Sequence, residues 1–285
     1  MEIMYLLVLW TLTIIKVMVQ GAFAKKNVKT TADGLVFNGT VFLFSALLFI
    51  NHAFSSALGV ILFGIVFGIM TVTFQLCYIT AMSCGNVSVT VLITNLSMVI
   101  PLSVSIIFFN ERPGILKYIG FALTVVALVL NVDRQNKTPT SKRWFVLAIV
   151  TSLANGSLLV LQQLFGKTQW AAQTQGFVSW SYITATLVSI ILYLILKSKG
   201  HGVTYKIRPK LFLIGLIIGC VLATFQVVNT RAIASMDGTF LFPTYNGGVL
   251  VLTGISSVLI LKEKLKKNQI ISMTVGVVAI ILMNL

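Results

Sequence analysis

Charge is scarce in this chain. Asp, Glu, Lys and Arg make up 9% of its 285 residues, where a soluble domain carries about 25%. Hydrophobic residues make up 57%, and the mean hydropathy is +0.99. So few charges could not cover so much apolar surface in water. A soluble globule, a disordered chain and a disulfide scaffold are therefore excluded. A transmembrane barrel is not expected, because its strands alternate apolar and polar over about 10 residues, whereas the apolar runs here are continuous and helix-length.

Acidic residues are scarcer still, six against 21 Lys+Arg, for a formal charge of +15. In a soluble protein that excess would point to nucleic acid. Here most cations lie in short loops between apolar runs and read as topology signals, so no nucleic-acid partner is expected. The three cysteines, Cys77, Cys84 and Cys220, sit in or beside apolar segments with no metal-ligand spacing. They read as free buried thiols. No cleavable signal peptide is expected from this first stretch: Glu2 stands where a basic n-region would be, and Lys16 interrupts the apolar run. No Ser/His/Asp set, paired buried carboxylates or phosphate-cradling Gly motif is present. The reading is accordingly not an enzyme, with no catalytic residues, no metal and no cofactor.

What the chain has is length of apolar run. A bilayer core of about 30 Å needs about 20 apolar residues per helix. Gly34–Asn110 contains no Asp, Glu, Lys or Arg over 77 residues, enough for three spans. The whole pattern predicts ten, at 3–24, 34–50, 57–80, 86–109, 114–131, 144–165, 176–196, 211–231, 238–261 and 268–284. The longest polar stretch, NVDRQNKTPTSKR at Asn131–Arg143, separates five spans from five.

The two halves repeat. Gly120–Leu130 reads GFALTVVALVL and Ser272–Leu282 reads SMTVGVVAIIL, an offset of 152 that also places Glu111 on Glu263. An offset of 151 places Gln75 on Gln226 and Asn95 on Asn246, and one of 142 places Gln20 on Gln162 and Gly34 on Gly176. The jump from 142 to 151 is one insertion, the basic loop Lys197–Lys210. Because each half has an odd number of spans, the second enters the membrane from the opposite side. The expected fold is an all-α integral membrane protein of ten transmembrane helices in two five-helix inverted-topology repeats, 1–133 and 144–285, joined by a basic linker at 134–143. Secondary transporters share that architecture, with substrate near the midplane. Loops after odd-numbered spans hold sixteen Lys/Arg and those after even-numbered spans four, counting Lys117 and Arg231 at the span ends with them. The positive-inside rule then puts both termini outside a cytoplasmic or plasma membrane.

The half ending FFNERPGILKYIGFALTVVALVLN resembles the EamA domain of the drug/metabolite transporter superfamily. An apolar span is followed by Glu111-Arg112 and, nine residues after the Glu, by Gly120 opening the last helix. In the second half Glu263-Lys264 leads to Ser272. The resemblance covers nearly the whole chain as two such domains, and it implies a ten-helix inverted-repeat carrier of metabolites, amino acids or drugs.

Candidate substrate-binding residues are the polar groups inside spans. A mid-membrane charge such as Lys16 costs roughly 2.5–3.5 kcal/mol on insertion scales and marks function by default; Gln20 lies one turn on. Gln75 and Tyr78 are spaced i, i+3, as are their partners Gln226 and Asn229. Asn95 and Asn246 form a second repeated pair, with Tyr245 beside the latter and Pro243 just before it. Asn155 and Gln162 share a face of span 6, and Trp180 opens span 7. Interhelical hydrogen bonding is the plain alternative for the amides, and an interfacial position for Trp180. Asp33, Glu111, Asp237 and Glu263 sit at span ends and read as solvated or interfacial, and no carboxylate lies at mid-depth. If each repeated amide faces the pseudo-twofold axis, Gln75, Gln226, Asn95 and Asn246 gather around one cavity, with Lys16 biasing it toward a carboxylate. The expected activity is transport of a small polar or zwitterionic metabolite, an amino acid among them, by alternating access. A drug or amphipath exporter, or a flippase of lipid-linked substrates, is the alternative. The expected partners are that small molecule and the lipid bilayer. Gly120 with Thr124, and Ser272 with Gly276, give small-residue faces on spans 5 and 10 for packing against each other or in a homodimer.

Overall fold

A computed structural model describes residues 2–27, 29–84, 90, 93–130, 142–200, 202–204, 209–261 and 267–283. Within these helices the side chains at 17–18, 20–27, 79, 82–84, 209–210, 253–254 and 257–261 are not described. The predicted linker at 134–143 therefore lies outside the described residues up to 141, as do Asn86, His201, Glu263 and Lys264. Every regular element among the described residues is helical: α1 Glu2–Asn27, α2 Thr31–Leu48, α3 Ile50–Phe54, α4 Leu58–Cys84, α5 Val99–Phe108, α6 Ile115–Leu130, α7 Lys142–Gly166, α8 Thr174–Ser198, α9 Pro209–Ser235, α10 Gly238–Leu261 and α11 Lys267–Met283, with 3-10 turns at Leu96–Met98 and Ala171–Gln173. Five are long and apolar enough to cross a membrane: Thr31–Leu48, Leu58–Tyr78, Lys142–Gly166, Ala171–Ser198 and Leu211–Ser235. Shorter apolar helices cover Ile93–Phe108, Ile115–Leu130 and Lys267–Met283. Described helices overlap each expected span, with two differences. In the span expected at 86–109 only residue 90 and residues from 93 on are described, and a 3-10 turn at Leu96–Met98 precedes α5. Helix α2 stops at Leu48, where Phe49 (φ −120°, ψ 22°) leaves helical geometry, and the chain restarts as the single turn of α3.

The chain forms two compact units, one of residues 1–14, 81–160 and 235–285, the other of residues 15–80 and 161–234. Helices α1, α4, α7 and α9 each contribute one end to either unit.

In the first unit α10 packs on α5, α6 and α11, and α6 lies along α11. The faces singled out by their small residues meet. A Cβ at Gly120 would come 2.5 Å from Met283 Cγ and 2.9 Å from the Ala279 carbonyl. Ser272 Oγ donates to the Ala127 carbonyl at 2.7 Å, while Thr124 and Gly276 are buried. Trp144 Nε1 donates to Thr90 Oγ1 at 2.9 Å beside a core of Ala81, Trp144 and Ala148.

In the second unit α2 lies along α8, and α3 also rests on α8. The capping box Thr30-x-x-Asp33 fixes where α2 starts: Thr30 Oγ1 accepts from the Asp33 N–H, and Asp33 Oδ2 from the Thr30 N–H. Gly215 and Gly219, i and i+4 on α9, admit Thr40 and Phe44 of α2, and Ser45 Oγ donates to the Gly219 carbonyl at 3.0 Å. Gly64 and Gly68 do the same on α4, where the backbone of Phe177 and Ser181 on α8 closes in. With little hydrophobic drive between helices in lipid, such close backbone approach supplies the packing energy. An aromatic run Phe63–Phe165–Phe177–Phe67 fills the space between.

Candidate functional site

Lys16 stands midway along α1, and its ammonium lies over the Phe225 ring of α9, 5.3 Å from the centroid. Among the described residues it has no carboxylate partner. The two helices run antiparallel here: Val19, one turn on from Lys16, packs against the cluster of Ile218, Leu211, Phe37 and Val41 with Leu222. The Gln20 side chain lies outside the described residues. Gln226 follows the ring in sequence. It is 6% exposed, and its Nε2 has no hydrogen-bond partner among the described residues.

On α4 of the same unit, Gln75 and Tyr78 are half-buried, and neither has a hydrogen bond to a described residue. Tyr78 stacks on Phe74 with ring centroids 5.6 Å apart and planes 19° apart. Phe74 and Phe225 are a repeat pair that sequence reasoning passed over, although the signal was present: Thr73-Phe74-Gln75 and Thr224-Phe225-Gln226 are the same tripeptide. One ring stacks on a tyrosine and the other carries the ammonium.

The remaining amides of this unit are tied to each other. Asn229 Nδ2 donates to Gln162 Oε1 at 3.3 Å, Gln162 Nε2 to Thr230 Oγ1 at 2.9 Å, and Thr230 Oγ1 to the Gln226 carbonyl at 2.8 Å. This chain joins α7 to α9. Trp180 sits near the start of α8, and its Nε1 donates to the Ala53 carbonyl at the end of α3 at 3.1 Å.

The other candidates belong to the first unit. Asn155 Nδ2 donates to Ser97 Oγ at 2.7 Å. Tyr245 shares a 2.8 Å hydroxyl–hydroxyl bond with Thr13, and its carbonyl accepts from Trp10 Nε1 at 3.1 Å. Asn246 Nδ2 returns to the Phe242 carbonyl at 2.8 Å, around the in-helix Pro243. Asn95 is half-buried just before the 3-10 turn. Asn155 and Gln162, expected on one face of span 6, thus bond within different units. The four repeated amides divide as well, Gln75 and Gln226 in one unit and Asn95 and Asn246 in the other.

Of the end-of-span carboxylates expected to be solvated or interfacial, Asp33 is buried and Glu111 is half-buried. Asp33 is 0% exposed. Its Oδ2 accepts from the N–H groups of Lys29 and Thr30 and from Thr204 Oγ1, and its Oδ1 from the Thr204 N–H. Glu111 accepts from the N–H groups of Gly238 and Thr239. Both are helix-end acceptors, because the first N–H groups of a helix lack intrahelical partners. Asp237 and His52 are exposed as expected. Among the described residues no group of His, Cys, Asp and Glu could hold a metal ion.

Residues 3–132 match the model of the EamA-like transporter family. One solved chain, described as "Crystal structure of protein", superposes with a TM-score of 0.77 over 99% of this chain and 98% of its own, at 12% identity. At that identity the likeness is one of fold. No curated protein matches the chain.

Proposed function

We propose, on the match of residues 3–132 to the EamA-like transporter family, that the chain is a multi-pass membrane transporter of the drug/metabolite superfamily, a carrier of small polar or zwitterionic carboxylate-bearing metabolites. It works by alternating access, with both termini outside. The halves 1–133 and 144–285 are two EamA-like repeats of inverted topology. The observation that carries the substrate reading is Lys16. A charge at mid-helix is retained against its insertion cost when it serves a solute or an ion path, and this one rests on an aromatic ring where a carboxylate would be the ordinary partner.

Loop contacts support the alternation of sides. Asp33, after the first span, meets Thr204, after the seventh. Gln173, after the sixth, accepts from the Ala57 N–H, after the second. Glu111, after the fourth, meets Gly238, after the eighth. Odd turns meet odd and even meet even, as ten spans require. The test is uptake of labelled carboxylate metabolites into vesicles reconstituted with the purified protein, alongside Lys16→Met. Uptake that the variant loses is expected. Equal uptake by both proteins removes Lys16 from the site, and no uptake of any carboxylate removes the reading.

A further inference from the structure

Asp33 joins two loops that lie far apart in sequence. Its Oδ2 accepts from the N–H groups of Lys29 and Thr30, in the turn after α1, and from Thr204 Oγ1. Its Oδ1 accepts from the Thr204 N–H at 2.6 Å. The turn between α1 and α2 is thereby fastened to the segment between α8 and α9, within one compact unit. Asp33 itself is buried, whereas Lys29, Thr30 and Thr204 around it are exposed.

Both fastened segments are cationic. Lys25 and Lys26 stand in the last turn of α1, and Lys29 follows it. Lys197 stands in the last turn of α8, Lys199 lies just beyond it, and Lys210 opens α9. Asp33 is the single acid in the sequence of this unit, and its bonds turn it inward. The outward side chains of Lys29, Lys197 and Lys199 are left to set the local potential. The far end of the unit is different. Helix α8 runs 25 residues, about 37 Å, to the turns at 49–57 and 167–173. Those two turns hold one cation, Lys167.

Apolar side chains stand next to the cations. Leu194 is one turn from Lys197 on α8, and Ile195 one turn from Lys199; both are exposed. On α9 Phe212 and Leu213 are exposed just after Lys210. Hydrocarbon beside fixed positive charge suits a ligand that has both acyl chains and an anionic phosphate. A soluble anion meets only half of that surface.

We infer that the cationic segments joined by Asp33 bind the headgroup of an anionic phospholipid, with its acyl chains along the exposed faces of α8 and α9. A zwitterionic phospholipid carries its own cation, which cancels most of the attraction. The surface requires a chain that lies in a bilayer and is independent of which solute is carried.

The full-length protein, purified in detergent without added lipid, is titrated while its unfolding midpoint is followed. Phosphatidylglycerol raises the midpoint saturably, as a ligand of the folded state does. Phosphatidylcholine needs at least about tenfold more for the same shift, and sn-glycerol 3-phosphate gives none. Each cation near an anionic surface is worth roughly a fivefold factor. Lys29→Gln, Lys197→Gln and Lys199→Gln together should therefore raise the half-saturating phosphatidylglycerol by at least about tenfold, while Lys167→Gln leaves it unchanged. Asp33→Asn separates the clasp from charge alone. It makes the unit more positive, so charge excess alone would tighten binding; release of the two segments weakens it. Thr204→Pro removes both Thr204 donors with every charge and the α2 cap kept, weakens binding in the same way, and decides the clasp if Asp33→Asn does not fold. All variants are taken only as monodisperse protein. An equal shift with phosphatidylcholine, with glycerol phosphate or with soluble polyglutamate, or an undiminished response in the triple lysine variant, overturns the lipid surface. Unweakened binding by Asp33→Asn or Thr204→Pro overturns the clasp.

Discussion

Glu111 Oε1 accepts a hydrogen bond from the N–H of Gly238, 3.0 Å away and 127 residues further along the chain. Oε2 takes the next N–H, that of Thr239, at 2.9 Å. A side chain in one turn thus caps the helix α10 that starts in another. Asn110, with φ 54°, makes the left-handed step just before it, a conformation that Asn tolerates better than most residues. A carboxylate at a helix N-terminus also meets the positive end of the helix dipole. Glu111→Ala should therefore lower stability by about 1–2 kcal/mol, the range measured for lost caps. Glu111→Gln, which keeps one acceptor oxygen, should cost less. Thermal unfolding of the purified variants reads this out, and an Ala variant that melts with the parent would refute the cap.

The apolar helices were legible because length and continuity of apolar residues are set by the bilayer, whatever the helices later pack against. The faces of Gly120, Thr124, Ser272 and Gly276 were legible for a similar reason: small residues at i, i+4 have few uses in a lipid-facing helix. The roles of Asp33 and Glu111 were not. Their distant partners, Thr204 for Asp33 and the N–H groups of Gly238 and Thr239 for Glu111, lie in segments far away in sequence, and nothing in the residues around the two carboxylates points to them. Gly64 with Gly68, and Gly215 with Gly219, carry the same i, i+4 signal as the faces that were read, yet lay in spans judged only by length. At Lys16 the charge was legible but its platform was not, since Phe225 is one apolar residue among many until the helices are in place.

Packing at Gly68 gives a graded test. A Cβ there would run into the Ser181 carbonyl and stand 2.7 Å from Thr184 Cβ. Backbone cannot swing aside as a side-chain tip can, so α4 and α8 would have to separate. Gly68→Ala should cost roughly 1–3 kcal/mol, the usual range for overpacking. At Gly114 nothing lies within 4 Å of the added carbon, and Gly114→Ala should melt within about 0.5 kcal/mol of the parent, as open surface positions do. If the two variants melt alike, the close approach of α4 to α8 is wrong.

Sidedness can be read with single cysteines in a background lacking Cys77, Cys84 and Cys220. Lys29, Asn51, Gln169 and Lys199 are all exposed. The charge distribution places Lys29 and Lys199 in the cytoplasm and Asn51 and Gln169 outside. In intact cells an impermeant thiol reagent should label cysteines at 51 and 169 and spare those at 29 and 199. The opposite pattern would reverse the orientation while keeping the alternation, and labelling of one member of each pair would break the span count.

The Lys16 ammonium, with no carboxylate partner among the described residues, also sets how the carrier should cycle. Closing the protein around an empty site would bury a cation with no counter-ion, at a cost of roughly 2.5–3.5 kcal/mol if the insertion scale applies. With a carboxylate bound, the same closure buries a neutral pair. The empty carrier should then reorient about two orders of magnitude more slowly than the loaded one, at one factor of ten per 1.36 kcal/mol. No mid-depth carboxylate among the described residues is present to carry a proton in its place. Transport should therefore be exchange: vesicles preloaded with an unlabelled carboxylate substrate should take up the labelled one far faster than empty vesicles. Internal pH should stay flat as they do so. Lys16→Met, with no charge to bury, should lose most of its affinity and also most of the dependence on preloading. Equal rates into loaded and empty vesicles would show that the wild-type carrier closes over a bare Lys16 without penalty.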